Sequence, residues 1–204
     1  MSNIVENPQA YFRQFVPERD ALLKELESEA AREHIPIVGP VVGAVLYLLA
    51  RAVGAEKILE IGTATGYSAI YLARAMASDR GRLVTLENDP AMARRAGANF
   101  RQAGLAQRIE IRVGDALTEL TGLEGDFDII FLDIDKAQYE PTLPHCRRLL
   151  RKGGLLVADN VGFKDADPFN RHIHSSPDWF SVSLFAYLPQ HSPENDGLCL
   201  ALRL

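Results

Sequence analysis

Cysteine is scarce in this chain: Cys146 and Cys199 are the two among 204 residues. No metal-type spacing relates them, which speaks against a thiolate zinc site or a disulfide framework. Two buried free thiols and a reducing, cytoplasmic compartment are the expectation. Long apolar runs are missing as well. The longest uncharged stretch, 35–50, holds two prolines and two glycines, and it falls short of the ~20 apolar residues that a membrane span requires. The opening MSNIVENPQAYFRQ has neither the basic nor the apolar segment of a secretory leader, so none is expected. Basic charge is not in excess either. Lys plus Arg number 22 against 27 Asp plus Glu, a net charge of −5, which argues against nucleic acid or an anionic membrane as the main partner. Repeats, low-complexity tracts and linkers are absent, and the five histidines form no metal or triad cluster. They read as surface or rim residues; His172 and His174, two apart, share a face of a strand but not of a helix.

What remains is average globular composition, 47% hydrophobic and 24% charged, in a length that suits one domain. Residues 8–33, with Leu22, Leu23 and Leu26 among many charges, read as one amphipathic helix, and 41–51 as a more buried second one. These N-terminal helices, 1–52, are expected to cover a core spanning 57–204. In that core short apolar runs alternate with helical stretches. The runs are KILEI (57–61), LVTLE (83–87), IEIRV (109–113), FDIIFLD (127–133) and GLLVAD (154–159); helices are expected over 67–76, 90–103, 116–120 and 138–150. Strands buried on both faces read this way, so an α/β fold with a parallel sheet and helices on both faces follows. Two further strand-like segments, 179–188 and 198–204, are placed to pair as an antiparallel hairpin at one end.

In such sheets ligands gather outside the carboxyl ends of the strands. Acids stand at five of these ends: Glu60, Glu87, Asp115, Asp133 and Asp159, the last followed by Asn160. Loop and N-cap preference explains any one of them better than the series. After the first strand, GTATGYS (62–68) is a glycine turn opening a helix, but Ala64 stands where a dinucleotide fingerprint needs its middle glycine, and no Gly-Lys-Ser/Thr follows. A nicotinamide oxidoreductase and a P-loop protein are both disfavoured. Glu87 is placed to accept from both hydroxyls of a ribose, and Asp115 from an adenine amine. The surrounding acids suit a cationic adenosine ligand.

The run LEIGTATGYS, the acid at Glu87, VGDA (113–116), FLDIDKAQY (131–139), ADN (158–160) and the closing Asn195-Asp-Gly-Leu occur in order. Together they resemble the class I S-adenosylmethionine-dependent O-methyltransferases, specifically the metal-dependent caffeoyl-CoA and catechol group, from about residue 35 to the end. The resemblance implies a single domain with a Rossmann-like, mostly parallel seven-stranded sheet and an antiparallel C-terminal strand. It places Gly62 and Thr63 against the methionine part of the donor, Ser68 at its carboxylate and Glu60 at the loop or ligand. Glu87 then takes the ribose, Asp115 and Ala116 the adenine, and Val38 and Asp135 (with Asp133) touch the cofactor.

Asp133, Asp159 and Asn160 supply two carboxylates and an amide oxygen, donors suited to Mg²⁺, with Mn²⁺ and Ca²⁺ as alternatives. By the resemblance Lys136 is the general base: a nearby cation disfavours its ammonium and favours an ionised acceptor hydroxyl. The acceptor oxygen, having given its proton to Lys136, attacks the methyl carbon of the sulfonium, and the sulfur leaves as a neutral thioether. A catechol-like or phenolic acceptor is expected, and a homodimer from the leucine-rich first helix and the apolar edge segments. The rival reading is a cofactor-binding module without methyl transfer, for which Lys136 and the three oxygen donors would be superfluous. Phe163, Phe169 and Trp179 are candidates for stacking on an acceptor ring or for core packing. Acceptor selectivity is expected in the N-terminal segment and the 161–178 loop.

Overall fold

The computed structural model describes residues 4–204. Seven strands form one sheet in the order β3-β2-β1-β4-β5-β7-β6. β1 (Lys57–Ile61), β2 (Arg82–Glu87), β3 (Ile109–Val113), β4 (Phe127–Leu132) and β5 (Leu150–Ala158) run parallel. β6 (Trp179–Tyr187) and β7 (Asn195–Arg203) form the expected hairpin, and β7 lies antiparallel to β5 with Ala158 opposite Cys199. The strand order reverses at β1, which is flanked by β2 and β4. A crevice opens outside the carboxyl ends there, because the helices leaving neighbouring strands go to opposite faces.

Alternation along β1 shows how the two faces are filled. Ile58 enters one core, with Leu22, Val42, Leu46, Ile70 and Phe100. Leu59 and Ile61 enter the other, with Leu120, Tyr139, Leu143, Phe169 and Ile173. The first face is covered by α2 (Ala21–Glu33), α3 (Gly39–Ala52), α4 (Tyr67–Ala75) and α5 (Pro90–Gln102); the second by α6 (Ala116–Gly122), α7 (Tyr139–Leu149) and α8 (Asp167–Ser175). Both thiols are free and buried, Cys146 on α7 and Cys199 on β7.

Three local expectations need correction. The segment 8–33 is two helices, α1 (Pro8–Arg13) and α2, because Pro17 interrupts the chain and Asp20 restarts it by accepting from Leu23 N at 3.0 Å as an N-cap. β5 begins at Leu150 rather than 154; Gly153, with φ 72°, carries the strand through an irregular pairing with β4. The 161–178 segment contains α8, so His172 and His174 sit on a helix and turn apart, His172 to Glu140 and His174 to Ser181 and Ser183. Their spacing of two carries no helical signal.

Candidate active site

A cavity of about 470 Å³ lies at the carboxyl ends of β1 to β5, within the size range of small-molecule sites. Of the sequence-predicted residues, Val38, Gly62, Thr63 and Ser68 line it, as do Glu87, Asp115, Ala116, Asp133, Asp135, Lys136, Asp159 and Asn160. Glu60 does not reach the wall. It is fully buried beneath the glycine turn, bonded to Thr85 Oγ1 at 2.6 Å, so its part is to support the loop rather than line the cavity.

The turn is built for close approach. Gly62 has φ 104°, and a Cβ there would run into the Asp133 carbonyl; only glycine lets β1 and β4 end this close together. Ala64 takes a left-handed φ of 46° without being glycine. Its N–H donates to Glu87 Oε2 at 2.7 Å, while Asp89 N donates to Glu87 Oε1 at 2.9 Å. Glu87 therefore fixes the turn and retains lone pairs for a ligand, since each carboxylate oxygen accepts twice. Asp115 also has two tasks. As N-cap of α6 its Oδ1 accepts from Thr118 N and Oγ1, both at 2.9 Å, which holds its carboxyl below the ordinary value, while its side chain still faces the cavity.

At the other end, Lys136 Nζ donates to Asp133 Oδ1 at 2.8 Å and to the Ile134 carbonyl at 2.9 Å. The β4 and β5 ends are held together by Tyr139, whose hydroxyl lies 2.9 Å from the Asp159 carbonyl and 3.2 Å from that of Leu132. Asn160, at φ 51°, donates through Nδ2 to Asp196 Oδ2 at 2.6 Å and to the Ser192 carbonyl at 3.3 Å. Asp196 is itself fixed by the N–H groups of Gly162 and Gly197. That is the local work of the closing Asp-Gly pair: it turns the Asn160 amide so that Oδ1 is left without a protein donor among the described residues.

His191 was not legible as a site residue. The expectation of a surface or rim histidine is wrong: the ring is buried, lines the cavity, and places Nε2 2.8 Å from Asp159 Oδ2, with Nδ1 2.6 Å from the Pro193 carbonyl. Burial works against its charged form, but the Asp159 carboxylate and the Pro193 carbonyl, both acceptors, raise its affinity for a proton above the ordinary value. No spacing in the sequence pairs residue 191 with 159; the antiparallel β7 beside β5 does. Phe169 and Trp179 are core residues, Phe169 edge-on to Tyr139, and Phe163 lines no part of this cavity.

In donor chemistry the cation end fits a hard divalent ion: two carboxylates and an amide, all oxygen, with Asp133 Oδ2 and Asn160 Oδ1 free of protein donors among the described residues. No three His, Cys, Asp or Glu side chains among the described residues would hold a metal by themselves; the third donor has to be the Asn160 amide. Among the described residues five carboxylates and one lysine line the whole cavity, an excess suited to a ligand carrying positive charge.

The fold and this crevice define a doubly wound nucleoside-binding protein whose acids take the place of a phosphate cradle. The family model for O-methyltransferases matches residues 14–166. A catechol O-methyltransferase of Niastella koreensis is 45% identical over 150 residues, covering 71% of this chain and 67% of that protein. Another, from Mycobacterium tuberculosis, is 46% identical over 120 residues, 58% of this chain and 54% of that one. The structure of an O-methyltransferase from Bacillus cereus in complex with SAH superposes with a TM-score of 0.87 at 31% identity, over 96% of each chain. The chain belongs to the O-methyltransferase family, the class I enzymes that use S-adenosylmethionine.

Proposed function

We propose that this protein transfers the methyl group of S-adenosylmethionine to one hydroxyl of a catechol-like small molecule, with a divalent cation, Mg²⁺ foremost, held by Asp133, Asp159 and Asn160. One observation carries the reading: two carboxylates, an amide oxygen and Lys136 share the wall at one end of the acid-lined cavity. Relatives named catechol O-methyltransferase support the acceptor class.

Glu87 and Asp115 offer acceptors for the hydroxyls and amine of an adenosine, while Gly62 and Thr63 bring backbone close to the donor's methionine part. Ser68, in the first turn of α4, is the donor for its carboxylate. Val38, buried at the start of α3, closes the cavity against water on that side. A bound cation supplies positive charge that favours the ionised form of the acceptor hydroxyl. Lys136, held on Asp133 at 2.8 Å, takes the hydroxyl proton as a neutral amine, after its ammonium has left that contact and given a proton to solvent. Orientation of oxygen, methyl carbon and sulfur carries most of the remaining catalysis.

A homodimer is part of the proposal. It is supported by apolar side chains exposed on the edge strand β6, where Phe180 and Phe185 are 72% and 77% exposed beside Val182 and Leu184. A cytoplasmic setting is supported by the two free thiols. No helix of the described residues is long and apolar enough to cross a membrane.

The test is transfer of a labelled methyl group to catechol with Mg²⁺ and with chelator. Transfer abolished by chelator and restored by Mg²⁺ is expected. Chelator-insensitive transfer removes the cation from the mechanism, and donor binding with no turnover on any diol leaves a binding module.

A further inference from the structure

A second cavity, about 600 Å³, adjoins the first, and Pro36, Ile37 and Ser192 line both. The shared rim stands at the cation end, because the Ser192 carbonyl accepts from Asn160 Nδ2. α2 forms one side of this space and the segment carrying Gln190 and Ser192 the other. A cavity the size of the first accommodates one ligand of the donor's class; the second is additional room beside the reacting end.

The chemistry of the second cavity is that of a neutral guest. Its single acid among the described residues, Glu27, is committed: Arg19 Nε donates to Oε1 at 2.9 Å, Arg19 Nη2 to Oε2 at 3.0 Å, and the Tyr67 hydroxyl to Oε1 at 2.6 Å. The carboxylate is thus neutralised and has little left to offer an ammonium. Ala30, Ala31 and Ile35 give an apolar floor, and Ser28, His34 and Gln190 provide hydrogen-bonding groups at its margin.

We propose, resting on the methyl-transfer reading above, that the acceptor is an extended catechol: an uncharged, mainly apolar substituent with a carbonyl or hydroxyl lies in the second cavity while the diol meets Asp133, Asn160 and Lys136. This locates acceptor selectivity in the segment 27–37 and at residues 190–192, not in 161–178.

The experiment compares catechol, N-butyl-3,4-dihydroxybenzamide and the cationic 2-(3,4-dihydroxyphenyl)ethylamine as acceptors for the wild type and Ala31→Trp, a substitution at an exposed helix position. Half-burying a four-carbon tail lowers KM about tenfold. The amide is expected to show that gain over catechol with little change in kcat, and the amine to show none. Ala31→Trp should return the amide to the KM of catechol while leaving catechol itself unchanged. Equal KM values for amide and catechol, or an equal effect of Ala31→Trp on both, overturn the proposal. Binding is read separately from backbone amide shifts with SAH present: the benzamide should move Ala31 and Gln190, and their silence overturns the proposal. Absence of turnover with all three acceptors would instead count against the catechol reading, with the shifts still deciding the second cavity.

Discussion

Glu60→Gln is expected to flatten the pH dependence of stability, and the reason is a count of protons. Glu60 lies 2.6 Å from Thr85 Oγ1, Thr85 Oγ1 lies 2.5 Å from Thr63 Oγ1, and Thr63 Oγ1 lies 3.0 Å from the Leu86 carbonyl. Each contact needs a hydrogen, the carbonyl has none to give, and the two hydroxyls supply only two. The third belongs to Glu60, whose carboxyl O–H donates to Thr85. Burial acts in the same direction, pushing this carboxyl up to about 8, with Asp133 and Glu87 adding to the shift and Ser68 and Thr85 opposing it. In the unfolded chain the group ionises near its ordinary 4.5, so the folded state keeps a proton that the unfolded state has lost. Stability from this group is complete below about 4.5 and is lost as pH rises to about 8. At roughly 1.4 kcal/mol per unit, the ceiling is ~5 kcal/mol. Glutamine preserves the relay through its amide N–H and cannot ionise. Urea denaturation at pH 5, 6, 7 and 8, without donor, should show the variant gaining on the wild type by more than ~2 kcal/mol across the series. A constant difference between the two proteins at all four values would refute the proton count.

Lys136→Ala should lower kcat about 10²–10⁴-fold, the usual worth of a general base, while SAH affinity measured by calorimetry stays within a few-fold; lost SAH binding would move Lys136 out of the acid–base role. Gly62→Ala meets the Asp133 carbonyl at a positive φ and should cost a few kcal/mol, read as a fall in Tm together with weakened SAH binding. An unchanged Tm would show that β1 and β4 can part at that point. Asp128 accepts from Glu56 N, Lys57 N and Arg151 Nε; burial pushes its carboxyl up, yet these donors hold it below the ordinary value. Asp128→Asn should therefore destabilise by about 1–3 kcal/mol at pH 7, with the gap to the wild type closing as pH falls through the acid range; a gap that persists at pH 2–3 would contradict this.

The sheet was legible because its central parallel strands β1, β2 and β4 are largely buried on both faces and announce themselves as apolar runs, and because acids stand at or just past the strand ends. Glu87, Asp115, Asp133, Asp159 and Asn160 could be picked out from their places at strand ends, and the cavity wall gathers all five. Glu60 occupies an equivalent place in sequence, but it precedes the end of β1 by one residue, and the alternation that sends Ile58 to the α4 face takes Glu60 there too, beneath the turn. His191 was invisible for a different reason: it is brought to Asp159 by a long-range antiparallel pairing, and local periodicity carries no information about which loop such a pairing folds over. The break at Pro17 and the helix at Asp167–Ser175 were obscured because short helices between prolines offer too few turns for a periodic signal.

The most direct test of the account is anomalous diffraction at the manganese edge from crystals grown with Mn²⁺ and SAH. One peak per chain is expected, bounded by Asp133, Asp159 and Asn160 and beside the thioether sulfur. A cavity holding SAH with no peak there, or a peak bound elsewhere, would contradict it.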